Sequence, residues 1–211
     1  MPQTIPLLSA QHLSCLYGHR HLFADLSFDL QKQELLWVVG QNGAGKTSLL
    51  NILTGIKPPN DGCLLWQGTD ITAPTSDYYQ QMLWLGHRNP FKPELTAEEN
   101  LRLLQSLRPH ENMTIQQALE RVELYKQRHK QIGYYSAGMQ RRLALASLLL
   151  SPATLWILDE PQAALDVQGI ALCESLLTEF IEQGGSVVMT SHHDLNLPTV
   201  NMRQLDLRNP S

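Results

Sequence analysis

The chain has 211 residues, 43% of them hydrophobic and 17% charged, with 13 glycines and 12 prolines; this balance suits a globular unit with a buried core and excludes a disordered tail, a collagen-like rod and a coiled coil. Sixteen basic side chains against twenty acidic ones leave a formal net charge of -4, which argues against a protein whose main partner is nucleic acid. Cys15, Cys63 and Cys173 are widely spaced and form no CxxC pair, so neither a disulfide framework nor a zinc knuckle is expected and a reducing compartment suits them.

The opening MPQTIPLLSAQHL has no basic stretch before a long apolar run, so no secretory signal is expected. The richest apolar run, residues 143–150, is stopped by Pro152 and falls short of the roughly 18 residues a membrane span needs. Any membrane association is expected to come through a partner.

Short apolar bursts at 13–17, 26–30 and 35–39, separated by Gly18 and polar turns, predict an N-terminal β lobe. A glycine-rich loop follows, then a helix with Leu49, Leu50, Leu53 and Ile56 on one face, ending between Gly55 and Pro59. Asp61-Gly62 reads as a turn into a short strand at 63–66, and 82–86 as another strand. Thr96-Ala97-Glu98-Glu99 and Thr114-Ile115-Gln116-Gln117 have capping-box form. They predict helices burying Leu101, Leu104 and Leu107, and Ala118, Leu119 and Val122, in a helical insertion. From Ser136 the pattern runs helix, strand at 154–158, helix from about Asp166 to Gln183, and strand at 186–190, the rhythm of a mostly parallel α/β sheet. The expected architecture is an α/β fold: an N-terminal antiparallel β lobe and phosphate-loop core from about 1–75 and 150–211, with a helical lobe at about 76–149, all in one domain spanning 1–211.

Gly40-Gln41-Asn42-Gly43-Ala44-Gly45-Lys46-Thr47 satisfies GxxxxGK[ST] between a predicted buried strand and a helix. Glycines let the backbone curl so that successive N–H groups and the helix N-terminus face a phosphate. Lys46 would reach the β- and γ-phosphates, the Thr47 hydroxyl would ligate Mg²⁺, and Ser48 would touch the α-phosphate. The apolar run 155–158 ends in Asp159 and Glu160. Alone this is an ordinary strand end; downstream of a phosphate loop it places Asp159 on the metal and Glu160 on the attacking water as general base. Ser136 reads as the N-cap of a helix, which would offer a second anion-binding terminus, while Arg141 and Arg142 read as solvated side chains on it.

Residues 135–142 resemble the signature of the ATP-binding cassette family, usually LSGGQ: Ser136 and Gly138 match, whereas Tyr135, Ala137 and Met139 depart from it. The resemblance implies ATP and Mg²⁺ as cofactors, with Gly40 through Ser48, Ser136, Gly138 and Asp166 around the nucleotide. Tyr17 is similar to the aromatic that stacks on adenine, a contact worth about 1–3 kcal/mol; a core tyrosine is the alternative. Ala164-Leu165-Asp166 resembles the family's dimer-contacting loop, although Asp166 could simply cap its helix. His192 resembles the switch histidine that contacts the γ-phosphate, and its neighbour His193 is expected to have no such role. His87 stands where most members place a glutamine that touches metal and water. The catalytic set so implied is Lys46, Glu160 and His192, and the metal set Thr47, Asp159 and His87.

Residues 64–68, 83–87, 92–101, 136–142 and 154–161 and the short ending after TSHHDLN are similar to a narrower group, the ATP-binding subunits of cytochrome c maturation systems, in which His87 becomes a shared marker. This resemblance implies a head-to-tail homodimer, with ATP on the loop of one copy facing the Ser136 helix of the other. It also implies a CcmB-like integral membrane permease subunit, contacted through residues 87–95, and other cytochrome c maturation proteins. The implied place is the cytoplasmic side of the inner membrane, and the implied work is coupling ATP hydrolysis to haem export or to release of a haem-loaded periplasmic chaperone. No CxxCH is present and no direct haem site is inferred. An ATPase subunit of another transporter, a soluble non-transport cassette ATPase and a small-molecule kinase sharing the phosphate loop are the alternatives.

Overall fold

Alternating apolar residues pair the first two strands, β1 (Leu8–Tyr17) and β2 (Arg20–Leu30), antiparallel across the turn at Gly18. Leu8, Ala10, Leu13 and Cys15 of β1 and Phe23, Leu26, Phe28 and Leu30 of β2 are buried. The strands belong to a computed structural model that describes residues 5–107 and 113–207; the first four residues of the opening stretch lie outside the described residues. The chain divides into two compact units. One comprises Met1–Trp84, Ala153–Asp159 and Leu177–Ser211, and the other Leu85–Pro152 and Glu160–Leu176.

In the first unit β3 (Glu34–Val39) leads through residues 40–45 into α1 (Lys46–Leu53), and β4 (Asp61–Trp66) and β5 (Thr69–Asp70) extend the antiparallel sheet in the order β2-β1-β4-β5. A second sheet takes β6 (Met82–Leu85), β7 (Leu155–Asp159), β8 (Ser186–Thr190) and β9 (Asn201–Asp206) in the order β6-β7-β8-β3-β9. The pairs β7/β8, β8/β3 and β3/β9 are parallel, with Asp159 opposite Thr190 and Val38 opposite Thr190 in register. Every residue of β7 and β8 is buried, as expected of parallel strands covered on both faces. The carboxyl ends of β3, β7 and β8 therefore converge on one edge, where open α/β sheets place their ligands.

Some local expectations fail for non-local reasons. Ile56 is 64% exposed because α1 stops at Leu53, with Gly55 at φ 72° ending the turn. Asp61-Gly62 is not a turn but the start of β4, paired with β1. Two elements carry no periodic signal: β9, whose first four residues are exposed, and the one-turn helix α2 (Tyr78–Gln81). α2 exists for its anchor, because Tyr78 is fully buried and donates its hydroxyl to Leu53 O at 2.6 Å; burial pushes that phenol well above its usual pKa.

The second unit holds α3 (Ala97–Leu107), α4 (Ile115–Arg121) and α5 (Ala137–Leu149), with single 3₁₀ turns at Tyr125–Gln127 and Ile132–Tyr134. The last helix, α6 (Val167–Glu182), has residues in both units. Both capping boxes form. Glu99 N donates to Thr96 Oγ1 while Thr96 N donates to Glu99 Oε2, and Thr114 and Gln117 exchange the same pair of bonds. Leu101 is buried on α3, Leu104 is half-buried, and Leu107 is 73% exposed rather than part of the buried face.

Asn100 is 2% exposed and ties the chain before α3 to the helix: its Oδ1 accepts from Lys92 N, and its Nδ2 donates to Lys92 O, Leu95 O and Thr96 O. Truncating it removes four hydrogen bonds made by one buried amide, so Asn100→Ala should destabilise the protein by about 2 kcal/mol. Chemical denaturation monitored by far-ultraviolet circular dichroism checks this; a change within 0.5 kcal/mol of zero would contradict it.

Candidate functional site

In the first unit, residues 40–45 form a tight loop closed by a bond from Ala44 N to Gln41 O at 3.1 Å. Gly45 caps α1 at φ 102°, a left-handed conformation, and a Cβ there would lie 3.0 Å from that of Leu22. Glycine is required on both counts. No side chain caps α1, so its first amides remain directed at the loop's concave side. Lys46 Nζ donates to Gly40 O at 2.8 Å and Gln41 O at 3.3 Å, which holds the ammonium over the loop. Ser48 is half-buried on the first turn of α1, and Gln41, Asn42 and Gly43 are exposed at the loop's crest.

Asp159, the last residue of β7, is only 3% exposed. Its Oδ2 accepts the Thr47 hydroxyl at 3.0 Å and its Oδ1 accepts the Thr190 hydroxyl at 2.7 Å. Two of the predicted residues, Thr47 and Asp159, thus meet directly at the mouth of the loop. Thr190 is a third member that the sequence reading missed; its signal was the polar residue closing the apolar run 187–189, at the carboxyl end of a parallel strand. A carboxylate and a hydroxyl side by side form a hard oxygen set of the kind that holds a divalent cation together with phosphates and water.

Glu160 follows Asp159 in the chain and is half-buried, with its backbone at φ 52°. In the second unit, Ser136 caps α5 by accepting from Met139 N at 3.2 Å. Behind it the chain folds so that residue 138 touches the loop before α6: a Cβ on Gly138 would lie 2.9 Å from Ala164 O. Arg142 donates to Glu123 Oε2 and, at 3.1 Å, to Asp166 Oδ1. Asp166 also accepts from Gly169 N at 2.8 Å, so it caps α6 while it holds Arg142. The Gly169 amide and then the Arg142 guanidinium keep the Asp166 carboxyl below its usual pKa. Desolvation opposes the charge on Arg142, but the bonds to Glu123 and Asp166 outweigh it and raise its pKa. Ser136, Gly138, Met139, Arg142, Leu165 and Asp166 line a pocket of about 490 Å³.

Neither arginine of α5 is simply solvated, as the sequence suggested. Arg141 is 3% exposed and bonded to main-chain carbonyls, and Arg142 is engaged on both sides. Charge is a poor guide here, because a guanidinium goes inside wherever enough carbonyls face it. Tyr17 is 77% exposed at the end of β1, so it is not a core tyrosine. His192 lies exposed in the segment after β8, and His87 lies exposed in the bend after β6. No group of three or more His, Cys, Asp and Glu side chains suited to a metal occurs among the described residues.

Residues 23–163 match the ABC transporter family. A cytochrome c biogenesis ATP-binding export protein CcmA from Nitrosomonas europaea is 42% identical over 208 residues, covering 98% of each chain. The protein of the same name from Idiomarina loihiensis is 42% identical over 96% of this chain and 93% of its own. Among solved structures, an ATP-binding ABC transporter protein from Pyrococcus furiosus superposes with a TM-score of 0.81 at 26% identity, over 95% of this chain and 97% of that one.

The contact between Gly138 and Ala164 O gives a direct test of how tightly the start of α5 is held. Gly138→Ala places a methyl group against a main-chain oxygen, so it should destabilise the protein by about 1–3 kcal/mol. Gly184→Ala is a poor control because of its positive φ; Ala137→Ser, at an exposed position, should leave the thermal midpoint unchanged. Equal midpoints for Gly138→Ala and Ala137→Ser would contradict the contact.

Proposed function

The chain belongs to the ABC transporter family, and from that membership we propose that it is the ATP-binding and hydrolysing subunit of a membrane complex for cytochrome c biogenesis. Its hydrolysis would be coupled to haem export or to release of a haem-loaded periplasmic chaperone. The observation that carries the chemical part is the buried Asp159, bonded to Thr47 of the phosphate loop at the carboxyl edge of the parallel sheet. The CcmA relatives at about 42% identity over nearly the full chain support the biological part.

Mg²⁺ is the metal that fits this oxygen set, and when bound it would neutralise charge on the β- and γ-phosphates. The residues that would hold it are Thr47 and Asp159, with His87 assigned to the same metal and water shell by its place in the family pattern. The amides of residues 41–46 receive the β-phosphate, and Lys46 exchanges the Gly40 and Gln41 carbonyls for phosphate oxygens. Tyr17, with its ring exposed, offers a face to adenine. Glu160 takes a proton from water as the water oxygen bonds to the γ-phosphorus and the bond from that phosphorus to the bridging β-oxygen breaks. ADP and inorganic phosphate result, and His192 contacts the γ-phosphate during transfer.

Two copies arranged head to tail would each present the Ser136 terminus of α5 to the other's nucleotide, so ATP belongs to the interface and its hydrolysis releases it. No helix among the described residues is long and apolar enough to cross a membrane. Attachment to the cytoplasmic face of the inner membrane is assigned to a CcmB-like permease subunit, with residues 87–95 as the contact.

Lys46→Ala should abolish ATP hydrolysis by the complex without unfolding the protein, and unchanged turnover would refute the nucleotide assignment. Glu160→Gln keeps the shape of the acid but not its basicity. Turnover should fall by roughly 10² to 10⁴, and a dimer should accumulate with Mg²⁺-ATP in sedimentation. Asp159→Asn should not trap that dimer. A Glu160→Gln protein that stays monomeric with saturating nucleotide, together with a Ser136→Arg complex of full activity, would refute the shared site. Affinity purification from native membranes tests the biological assignment, with a permease of another transport system as the contrary result.

A further inference from the structure

Arg141 is a buried cation that the nucleotide reading leaves without a task. Its side chain leaves α5 on the face opposite solvent, and acceptors among the described residues surround it. Nε donates to Pro161 O at 3.1 Å, Nη2 to Glu160 O at 2.7 Å, and Nη1 to Gly86 O at 2.9 Å and to Asn89 Oδ1 at 3.5 Å. Three of these acceptors are main-chain carbonyls, and they come from two segments distant in sequence. One segment carries Glu160; the other brackets His87. All belong to the same compact unit as α5.

A planar guanidinium with donors on three nitrogens can hold two separate chain segments at fixed angles, which a lysine, a point charge on a flexible stem, cannot do. The segment at Glu160 needs such a hold. Its backbone is left-handed at φ 52°, a conformation that a non-glycine residue keeps only where its surroundings impose it. Glu160 O also accepts from Ala163 N at 2.9 Å, which closes the turn. The Arg141 bond then fixes that closed turn against α5, and with it the direction in which the Glu160 side chain leaves the backbone.

We infer that Arg141 is a positioning residue for ATP hydrolysis: its buried guanidinium fixes, on the helix that begins at Ser136, the main chain that carries Glu160 and the loop that carries His87. This rests on the proposed role of Glu160 as base. It predicts that loosening Arg141 impairs turnover through Glu160 and leaves nucleotide binding intact, since a displacement of about 1 Å can cost roughly 10²-fold in rate.

The test uses the complete membrane complex. Wild type, Arg141→Lys, Glu160→Gln and the double variant are compared for kcat and KM with Mg²⁺-ATP and for thermal midpoint. Arg141→Lys should lower kcat by roughly 10- to 100-fold with KM changed less than about threefold. In the Glu160→Gln background the same substitution should cost less than about twofold, because the group it positions is already gone. Amide hydrogen exchange should rise at residues 86–89, 160, 162 and 163 of Arg141→Lys. Unchanged kcat, a KM that rises in step with the loss, or effects that multiply in the double variant would each overturn the inference. If Arg141→Lys does not fold, Arg141→Gln takes its place, because it puts no charge inside and keeps one donor; failure of both to fold makes Arg141 a stability element and also overturns it. A wild-type complex without turnover removes the nucleotide reading, and this inference with it, and is distinguishable from an active wild type with an equally active Arg141→Lys.

Discussion

The carboxylate of Asp159 is the point on which the first unit depends. A charged group at 3% exposure is tolerable only if its oxygens are satisfied, and Asp159 accepts from hydroxyls in two distant parts of the chain. Thr47 reaches it only because β3 runs parallel to its neighbours and delivers the glycine-rich loop at the edge where β7 ends. Thr190 reaches it only because β8 lies in register beside β7. Parallel pairing thus gathers a loop, an acid and a hydroxyl at one edge, as the strand-end rule for open α/β sheets requires. The apolar strands that flank them exclude water from the acid's other sides.

The second unit is organised by α5. Adjacent residues on a helix point about 100° apart, and Arg141 and Arg142 use that angle for different ends. Arg141 turns inward to carbonyls at 86, 160 and 161, and Arg142 turns to Glu123 and Asp166. Asp166 is shared between Arg142 and the first turn of α6, so the helix cap that the sequence offered as one of its two readings forms. Gly138 lets the start of α5 approach Ala164 closely enough for this arrangement. Helix terminus, acidic turn and the loop with His87 are therefore one mechanical piece within this unit.

What the amino-acid order determined by itself was whatever rests on bonds between near neighbours. The two capping boxes close over three residues, the Ser136 cap does the same, and the phosphate loop is legible because its glycines answer to local backbone geometry. The strands that build both sheets, apart from β9 and the short β5, announced themselves by apolar patterning. What only the tertiary structure decided rests on distant partners. The Asp159 hydroxyl bonds span 112 and 31 residues, Arg141 reaches 55 residues back to Gly86, and Tyr78 closes on Leu53 across 25. Ile56 and Leu107 had the right spacing for a buried face and are exposed, while β9, polar and mostly exposed, is a strand because β3 offers it an edge. Periodicity reports which face a helix or strand could bury; whether a neighbour arrives to cover that face, or a carbonyl to meet a buried charge, depends on chain segments whose approach no local pattern encodes.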